Sequence, residues 1–232
     1  MIEIRPYAKL GSANHGWLNA KHHFSFANYY DANRIHWGQL RVWNDDTISP
    51  HNGFSPHPHE DMEIITYVYQ GAITHKDSMG NEGRTEAGDV QIMSAGTGVI
   101  HSEYNLEDQE TKLFQIWIIP DKKGNKPTWG TRSFPKAERH GQFSVLASGY
   151  PEDSSALPIQ VNAKVLAITL KAGQSTEYTI ESGKKAYLVA AKGRYQVNGH
   201  DVNAHDGVAV KDEKNLMIQA IEDSEIVMVE VF

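Results

Sequence analysis

The chain contains no cysteine among its 232 residues, and this absence limits the chemistry available to it. Disulfide bonds are excluded, and so are thiolate ligands to a metal. Any metal ion would have to be held by imidazole nitrogens and carboxylate oxygens. The sequence is rich in both groups, with 12 histidines and 29 acidic residues.

Positive charge is also scarce. The 22 Lys and Arg residues are outnumbered by Asp and Glu, which gives a formal net charge of −7. The basic pairs Lys122-Lys123 and Lys184-Lys185 are too short to form a basic patch. Because nucleic acid and anionic membranes attract positively charged surfaces, we expect no direct nucleic-acid partner and no membrane association.

Long apolar runs are missing as well. No segment approaches the roughly 20 apolar residues that a membrane-spanning helix needs. The first six residues lack the apolar run of a signal peptide, so we expect a cytoplasmic protein. The hydrophobic content of 40% is ordinary for a globular protein, and the length allows a substantial core.

Short segments rich in β-branched and aromatic residues alternate with glycine-containing turns. Residues 64–69 form one such segment, which ends at Gln70-Gly71, and residues 113–119 form another, which Pro120 ends. Residues of this kind favour β-strands, and the short spacing between turns is typical of a barrel or sandwich. The sequence therefore predicts an all-β fold.

Four potential metal ligands occur as pairs with a spacing of two residues. The first pair is His57 and His59, and the second is His101 and Glu103. In a β-strand, residues i and i+2 project from the same face, so two adjacent strands could direct all four side chains at one point. Prolines on both sides of His57 fix the backbone φ angle and stiffen the first segment. The spacing predicts a metal site.

Two carboxylates compete for the fourth ligand position. Glu63 and Glu103 both have the parity expected of residues that face the histidines. Either side chain could therefore complete a set of three histidines and one carboxylate, and the spacing leaves the choice open.

The second half of the chain repeats the rhythm of the first without its ligands. Residues 187–196 follow the same order of strand, glycine turn and strand as residues 66–73, which suggests a duplicated β module. Residues 173–178 and 215–218 stand where the first half has its ligand pairs, and they contain no histidine. We therefore expect one metal site, in the first module only.

Polar, turn-rich segments indicate where the two modules separate. Such segments occupy residues 121–127 and residues 147–158. Domain boundaries commonly fall in segments of this composition. We place the N-terminal domain at residues 1–135 and the C-terminal domain at residues 136–232.

The motifs around the ligand pairs resemble those of the cupin superfamily. Residues 53–71 are similar to the first cupin motif and residues 88–105 to the second. The sequence His57-Pro58-His59, taken with residues 94–103, 15–18 and 24–31, resembles the pirin family of bicupins, specifically its bacterial quercetinase-like members. The motif residues that carry the cupin resemblance are Gly53, His57, His59, Glu63, Gly71, Gly88, His101 and Asn105.

This resemblance implies a fold and a ligand set. The fold would be a bicupin with two jelly-roll-like β-barrel modules, of which only the N-terminal one holds metal. The ligands would be His57, His59, His101 and Glu103, because pirins take the carboxylate from the second motif. Glu63 would then be a structural residue or a neighbour of the ligands.

The resemblance also implies an activity. It points to a metal-dependent dioxygenase of the quercetinase type, which opens the heterocyclic ring of flavonols such as quercetin with O2 and releases CO. Glu103 would act as general base as well as ligand. Fe(II) is the first choice for the metal, and Ni, Cu, Mn, Co and Zn also suit such ligands. The alternatives are a metal-dependent regulatory protein that acts through a protein partner, and a cupin enzyme with another small-molecule substrate.

The remaining aromatic and histidine residues carry weaker signals. The aromatic residues between positions 17 and 43 are expected to pack in the core, with some lining a pocket near the metal as the alternative. Eight further histidines show no ligand pairing and are expected on the surface or in turns, with His36 and His75 to be reconsidered if a pocket lies beside them. The eight are His22, His23, His36, His51, His75, His140, His200 and His205.

Overall fold

The structure is a computed structural model that describes all residues from 1 to 232. Apart from two short 3-10 turns, Tyr7–Lys9 and Lys136–Arg139, the regular structure is entirely β. The structure contains no helix with the length and apolar character of a membrane-spanning segment. The prediction of an all-β fold is confirmed.

Twenty-two strands follow one another along the chain. The first twelve are β1 (Ile2–Arg5), β2 (Gly11–Asn14), β3 (Leu18–His22), β4 (Leu40–Ile48), β5 (Asn52–His59), β6 (Glu63–Gln70), β7 (Ala72–Asp77), β8 (Glu82–Glu86), β9 (Val90–Ser94), β10 (Val99–Asn105), β11 (Thr111–Ile118) and β12 (Thr128–Arg132). The others are β13 (Ser144–Ser148), β14 (Leu157–Pro158), β15 (Lys164–Leu170), β16 (Ser175–Thr179), β17 (Lys185–Lys192), β18 (Tyr195–Val197), β19 (His200–Val202), β20 (Gly207–Val210), β21 (Asn215–Ala220) and β22 (Ser224–Val231).

The chain divides into two compact units. The N-terminal unit consists of Gly11–Phe134 and Leu157–Val161, and the C-terminal unit consists of Met1–Leu10, Pro135–Ala156 and Asn162–Phe232. The division differs from the expected domains mainly at the start of the chain, because β1 pairs with β20 and so belongs to the C-terminal unit. Nothing in the composition of the first ten residues signals a partner about 200 positions away.

The N-terminal unit is built from two antiparallel sheets. The larger sheet has the strand order β12-β9-β6-β11-β4-β3-β2, and the smaller has the order β5-β10-β7-β8. Hydrogen bonds between their inward side chains, such as the bond from Gln91 to Glu103, show that the sheets face each other. The apolar cluster around Val68, Ile73 and Leu113 fills only part of the space between them.

The C-terminal unit repeats this arrangement. Its larger sheet contains the order β1-β20-β17-β22-β15-β13, and its smaller sheet has the order β16-β21-β18-β19. Its interior is filled by a larger apolar cluster that includes Leu188, Val208 and Met228, each with 0% of its surface exposed. The repeated strand order confirms the prediction of a bicupin with two jelly-roll-like modules.

Candidate metal centre

Three of the predicted site residues converge where β5 pairs with β10. In this antiparallel pair His57 lies opposite His101, and His59 lies opposite Val99. A potential ligand nitrogen from each of His57, His59 and His101 lies within 4.8 Å of the others. The Nε2 atoms of His57 and His101 are 3.1 Å apart. The i, i+2 spacing on adjacent strands therefore brings the three imidazoles to one point.

A glycine and a proline allow the two strands to meet in this way. A Cβ atom on Gly53 would lie 2.2 Å from the carbonyl oxygen of Glu103, so only glycine lets β5 approach β10 at that position. The register shifts between His101 and Glu103, where β5 contains one extra residue near Pro56. Proline suits such a bulge because it has no amide hydrogen to leave unpaired.

The orientation of the His57 ring leaves the Nε2 nitrogen available to bind a metal. Its Nδ1 lies 2.7 Å from the carbonyl oxygen of Ser55, which only accepts, so Nδ1 carries the hydrogen and donates it. The Nε2 lone pair then points toward Nε2 of His101. The two Nε2 atoms are 3.1 Å apart. Two nitrogens that each lie about 2.1 Å from the same metal ion have this separation when the nitrogen–metal–nitrogen angle is about 95°. The pair fits a transition metal ion.

Burial keeps two of these imidazoles neutral. It lowers the pKa of His101 to about 3, with the neighbouring His57 and His75 rings acting in the same direction. Burial likewise lowers the pKa of His59 to about 4, assisted by His101 and His57. Neutral imidazoles have the free lone pair that a metal requires, so the site is ready to bind a cation at neutral pH.

Glu103, the fourth predicted ligand, is held from the opposite sheet. Its buried carboxylate accepts hydrogen bonds from the side-chain amides of Gln91 and Gln115 and from the hydroxyl of Thr66. Gln91 lies opposite Thr66, Thr66 opposite Gln115, and Gln115 opposite Asn44, on four adjacent strands. We call these four residues the polar row. Three of them fix the orientation of the Glu103 carboxylate.

The structure brings Glu103 to the edge of the histidine cluster. A carboxylate oxygen of Glu103 lies within 4.8 Å of a ring nitrogen of His101 and of one from His75. Glu103 and the three clustered histidines also line one cavity. Its role as a metal ligand stays a prediction.

Glu63 does not face the site, so the expectation from parity was wrong. Residues 60–62 form a turn between β5 and β6, in which Asp61 has a φ of 47°, and this turn resets the alternation of side chains. Glu63 lies on the face of β6 opposite to Thr66 and accepts hydrogen bonds from the Ser94 hydroxyl and the Gln160 backbone. Burial raises its pKa.

A cavity of about 540 Å³ opens beside the histidines. Its walls are largely apolar and include Trp17, Phe26, Phe54 and Trp117. The ring of Trp117 packs edge-to-face against His59, with centroids 4.9 Å apart. Small-molecule sites in proteins typically have volumes of about 300–1000 Å³ and apolar walls. Both interpretations of the aromatic residues therefore apply, since Trp17 and Phe26 line the cavity while Phe24 and Trp43 are buried in the core.

Three histidines expected on the surface are buried instead. His22, His23 and His75 are at most 3% exposed, whereas His36, His51, His140 and His200 are exposed as expected. His22 lines the cavity, and its Nδ1 lies 2.8 Å from the side-chain oxygen of Asn44. The available signal was the position of His22 on the same face of β3 as the buried Leu18 and Ala20.

Asp46 is a further cavity residue that the sequence analysis missed. It is 2% exposed, and its buried Oδ1 atom has no hydrogen-bond partner. Burial raises its pKa well above the ordinary value, and the nearby Asp45 and Glu103 act in the same direction. In the metal-free protein the cavity therefore contains a carboxyl group that favours its neutral form.

Comparison with known proteins gives matches along nearly the whole chain. The profile of the family described as Pirin matches residues 3–118, and the profile described as Quercetinase C-terminal cupin domain matches residues 145–231. A Pseudomonas aeruginosa protein with the provisional name quercetin 2,3-dioxygenase is 64% identical over 231 residues and covers 100% of both chains. An Escherichia coli K12 protein named quercetin 2,3-dioxygenase is 41% identical, covering 98% of this chain and 97% of its own.

A solved structure is similar as well. The bacterial pirin YhhW from Escherichia coli, in complex with nickel(II), matches with a TM-score of 0.94 at 38% identity, covering 100% of this chain and 99% of its own. That nickel complex and the histidine cluster of this chain together imply a metal ion. The sequence matches and the shared fold lead to one conclusion: the chain belongs to the pirin family of bicupins.

Proposed function

We propose that the chain binds one divalent transition metal through His57, His59, His101 and Glu103 and catalyses the oxygenation of a flavonol. The observation that carries this proposal is the convergence of three imidazoles, two of them kept neutral by burial, beside a buried carboxylate in the wall of an apolar cavity. The names of two relatives supply the substrate class.

The donor set fits the metal chemistry that the reaction requires. A bound metal would supply Lewis acidity and one or two open coordination positions, since the protein would occupy four. Imidazole and carboxylate ligands suit Fe(II) and Ni(II) alike, and the similar Escherichia coli protein was solved with nickel. Fe(II) remains our first choice, with nickel the best-supported alternative.

Glu103 is the proposed proton acceptor. The balanced reaction converts one flavonol and one O2 into one ring-opened depside and one CO, and it begins with loss of the 3-hydroxyl proton. A carboxylate beside the metal lies within reach of a substrate bound there. The amides of Gln91 and Gln115 hold both oxygens of Glu103 from one side, so the carboxylate cannot rotate freely.

The cavity walls suit a flat aromatic substrate. Trp17 packs edge-to-face on Phe54 at 5.2 Å, and Phe26 packs edge-to-face on Trp117 at 5.4 Å. These rings offer apolar faces for the rings of a flavonol and displace water from the reacting carbon atoms. Their fixed mutual packing limits the orientations that the substrate can adopt.

The test is oxygenation of quercetin by protein loaded in turn with Fe, Ni, Co, Mn and Cu. We expect loss of the visible absorbance of quercetin under air, release of CO that reduced myoglobin traps, and neither change without oxygen or metal. Glu103→Gln should lower kcat by about 100-fold or more. Glu63→Gln is the matched control, because this carboxylate lies on the other face of β6. Absence of turnover with all five metals would refute the proposal.

A further inference from the structure

A chain of three side chains runs away from the metal centre through His75, which the proposed reaction does not use. Nε2 of His75 lies 3.1 Å from Oδ2 of Asp77. Nδ1 of His75 lies 3.4 Å from Nδ1 of His101, at the long end of the hydrogen-bond range. The side chains of His75 and Asp77 are 1% and 0% exposed. The contact sequence is therefore Asp77, His75, His101.

Asp77 is held as a fixed acceptor at the end of this chain. The backbone amides of Met79 and Asn81 donate to its Oδ1 at 2.9 and 3.0 Å, and the side-chain amide of Asn81 donates to its Oδ2 at 2.9 Å. Burial alone would raise the pKa of Asp77, but the hydrogen bonds from Asn81, His75 and Met79 outweigh it and lower that pKa. An ionised carboxylate has no hydrogen to donate.

This acceptor determines where the hydrogens on both imidazoles lie. Because Asp77 only accepts, Nε2 of His75 must carry a hydrogen and donate it. Nδ1 of a neutral His75 is then an acceptor, so Nδ1 of His101 must be the donor. The Nε2 atom of His101 is left with its lone pair, and this is the atom that lies 3.1 Å from Nε2 of His57.

We propose that Asp77 and His75 are positioning residues that hold His101 in its Nδ1–H tautomer, and so aim its Nε2 lone pair at the metal before the metal arrives. The inference rests on the proposed metal site and adds two residues to it. Outer partners of this kind fix the orientation of a ligating histidine and increase its basicity.

The surroundings of His75 argue against a purely packing role. The indole of Trp129 stacks on the ring of His75 at 5.0 Å with an interplanar angle of 15°. Gly83, opposite His75 on β8, makes room for that indole, since a Cβ atom there would lie 2.4 Å from it. In the C-terminal unit the corresponding position is Val197, since it lies four residues after the turn glycine Gly193 as His75 lies four residues after Gly71. Val197 is fully buried among apolar side chains. Because the fold accepts an aliphatic residue at this position, packing alone does not explain why residue 75 is a histidine.

The tautomers can be observed directly in metal-free protein by long-range ¹H–¹⁵N NMR of the imidazole rings. We expect His101 with hydrogen on Nδ1 and His75 with hydrogen on Nε2. In Asp77→Asn, the amide oxygen can keep the bonds from the backbone amides of Met79 and Asn81, while the amide nitrogen faces His75 and gives up the bond from the Asn81 side chain. Both tautomers should then reverse. An Nε2–H tautomer of His101 in the wild type, or unchanged tautomers in Asp77→Asn, would overturn the inference.

Metal affinity gives the second readout, measured by competition with a chelator for Ni²⁺ and Co²⁺. We expect affinities about 10- to 100-fold weaker in Asp77→Asn and in His75→Phe, which keeps a ring to stack on Trp129. His23→Phe is the matched control, since it makes the same change at an equally buried histidine outside the cavity. Thermal unfolding of each metal-free variant verifies that it is folded, and His75→Phe carries the test if Asp77→Asn does not fold.

The outcomes separate this inference from the proposed function. Wild-type affinity in both variants would overturn the positioning role while leaving the metal site intact. Absence of quercetin turnover, with the affinities and tautomers as expected, would refute only the flavonol reaction. A wild-type protein that binds neither metal would refute the metal site and this inference together.

Discussion

The two units share one strand order but fill their interiors differently. The polar row of the N-terminal unit lies across β9, β6, β11 and β4 and holds the Glu103 carboxylate. Across the corresponding strands of the C-terminal unit the row reads Val208, Leu188, Met228 and Leu166, all buried and apolar. The topology therefore does not require polar residues at these positions, and we attribute them to the metal site.

The smaller sheets show the same contrast. In the N-terminal unit Glu103 of β10 lies opposite His75 of β7. In the C-terminal unit Val197 lies four residues after the turn glycine Gly193, as His75 lies four residues after Gly71, and its partner on β21 is Ile218. The C-terminal unit therefore has aliphatic side chains both at the position of a potential metal ligand, Glu103, and at the position of a residue that supports the site, His75.

The largest effect is expected when a residue of the N-terminal unit is replaced by the residue found at the equivalent position of the C-terminal unit. His101→Leu introduces the residue type found at the equivalent Leu216. His101 belongs both to the cluster with His57 and His59 and to a second possible ligand group with His75 and Glu103. Metal content measured by elemental analysis should therefore fall to background in this variant. The metal-free protein should still unfold cooperatively, since the fold accepts leucine there. Metal binding at the wild-type level would show that His101 is not a ligand.

The reverse exchange should destabilise the C-terminal unit. Met228→Gln places an amide in an apolar interior where no carboxylate accepts its hydrogens. Burying an unpaired amide costs about 1–3 kcal/mol in proteins. Urea unfolding should show this loss, with Met228→Leu as the control of similar volume. A Met228→Gln protein as stable as the wild type would mean that this interior admits water or can rearrange.

A smaller effect is expected from interrupting the polar row. Gln115→Met removes the donor to one oxygen of Glu103 and introduces the residue type at the equivalent Met228. Leaving a buried acceptor without its donor costs about 1–3 kcal/mol, part of which water from the cavity can offset. We expect kcat to fall while the metal content stays at the wild-type level. An unchanged kcat would show that the hydrogen bond from the polar row to Glu103 does not contribute to the proposed reaction.

The most gradual effect, which is spread over several pH units, is the pH dependence of the stability of the metal-free protein. In the folded state the pKa values of His101 and His59 are about 3 and about 4, below the unfolded value of about 6.5. The unfolded chain therefore binds protons first as the pH falls, and stability is lost from about pH 6.5 downward. For His101 the slope is at most about 1.4 kcal/mol per pH unit. His101→Leu should make the stability of the metal-free protein depend less steeply on pH. A pH dependence identical to that of the wild type would show that His101 is not its cause.

Much of this arrangement could be predicted from local sequence pattern. The alternation of side chains along a strand brings His57, His59 and His101 together, because both segments do form adjacent strands. The same rule failed for Glu63, since the turn at residues 60–62 starts a new alternation. The burial of His75 depends on partners from other elements, such as Trp129, which the pattern around His75 does not contain.

The most direct test is anomalous diffraction at the nickel edge from crystals of nickel-loaded protein. We predict one peak per chain, about 2.1 Å from ring nitrogens of His57, His59 and His101, with Glu103 as the only carboxylate ligand. No peak should occur inside the C-terminal unit. A peak that lacks any of the three histidines, that includes Glu63, or that lies in the C-terminal unit would contradict the proposed centre.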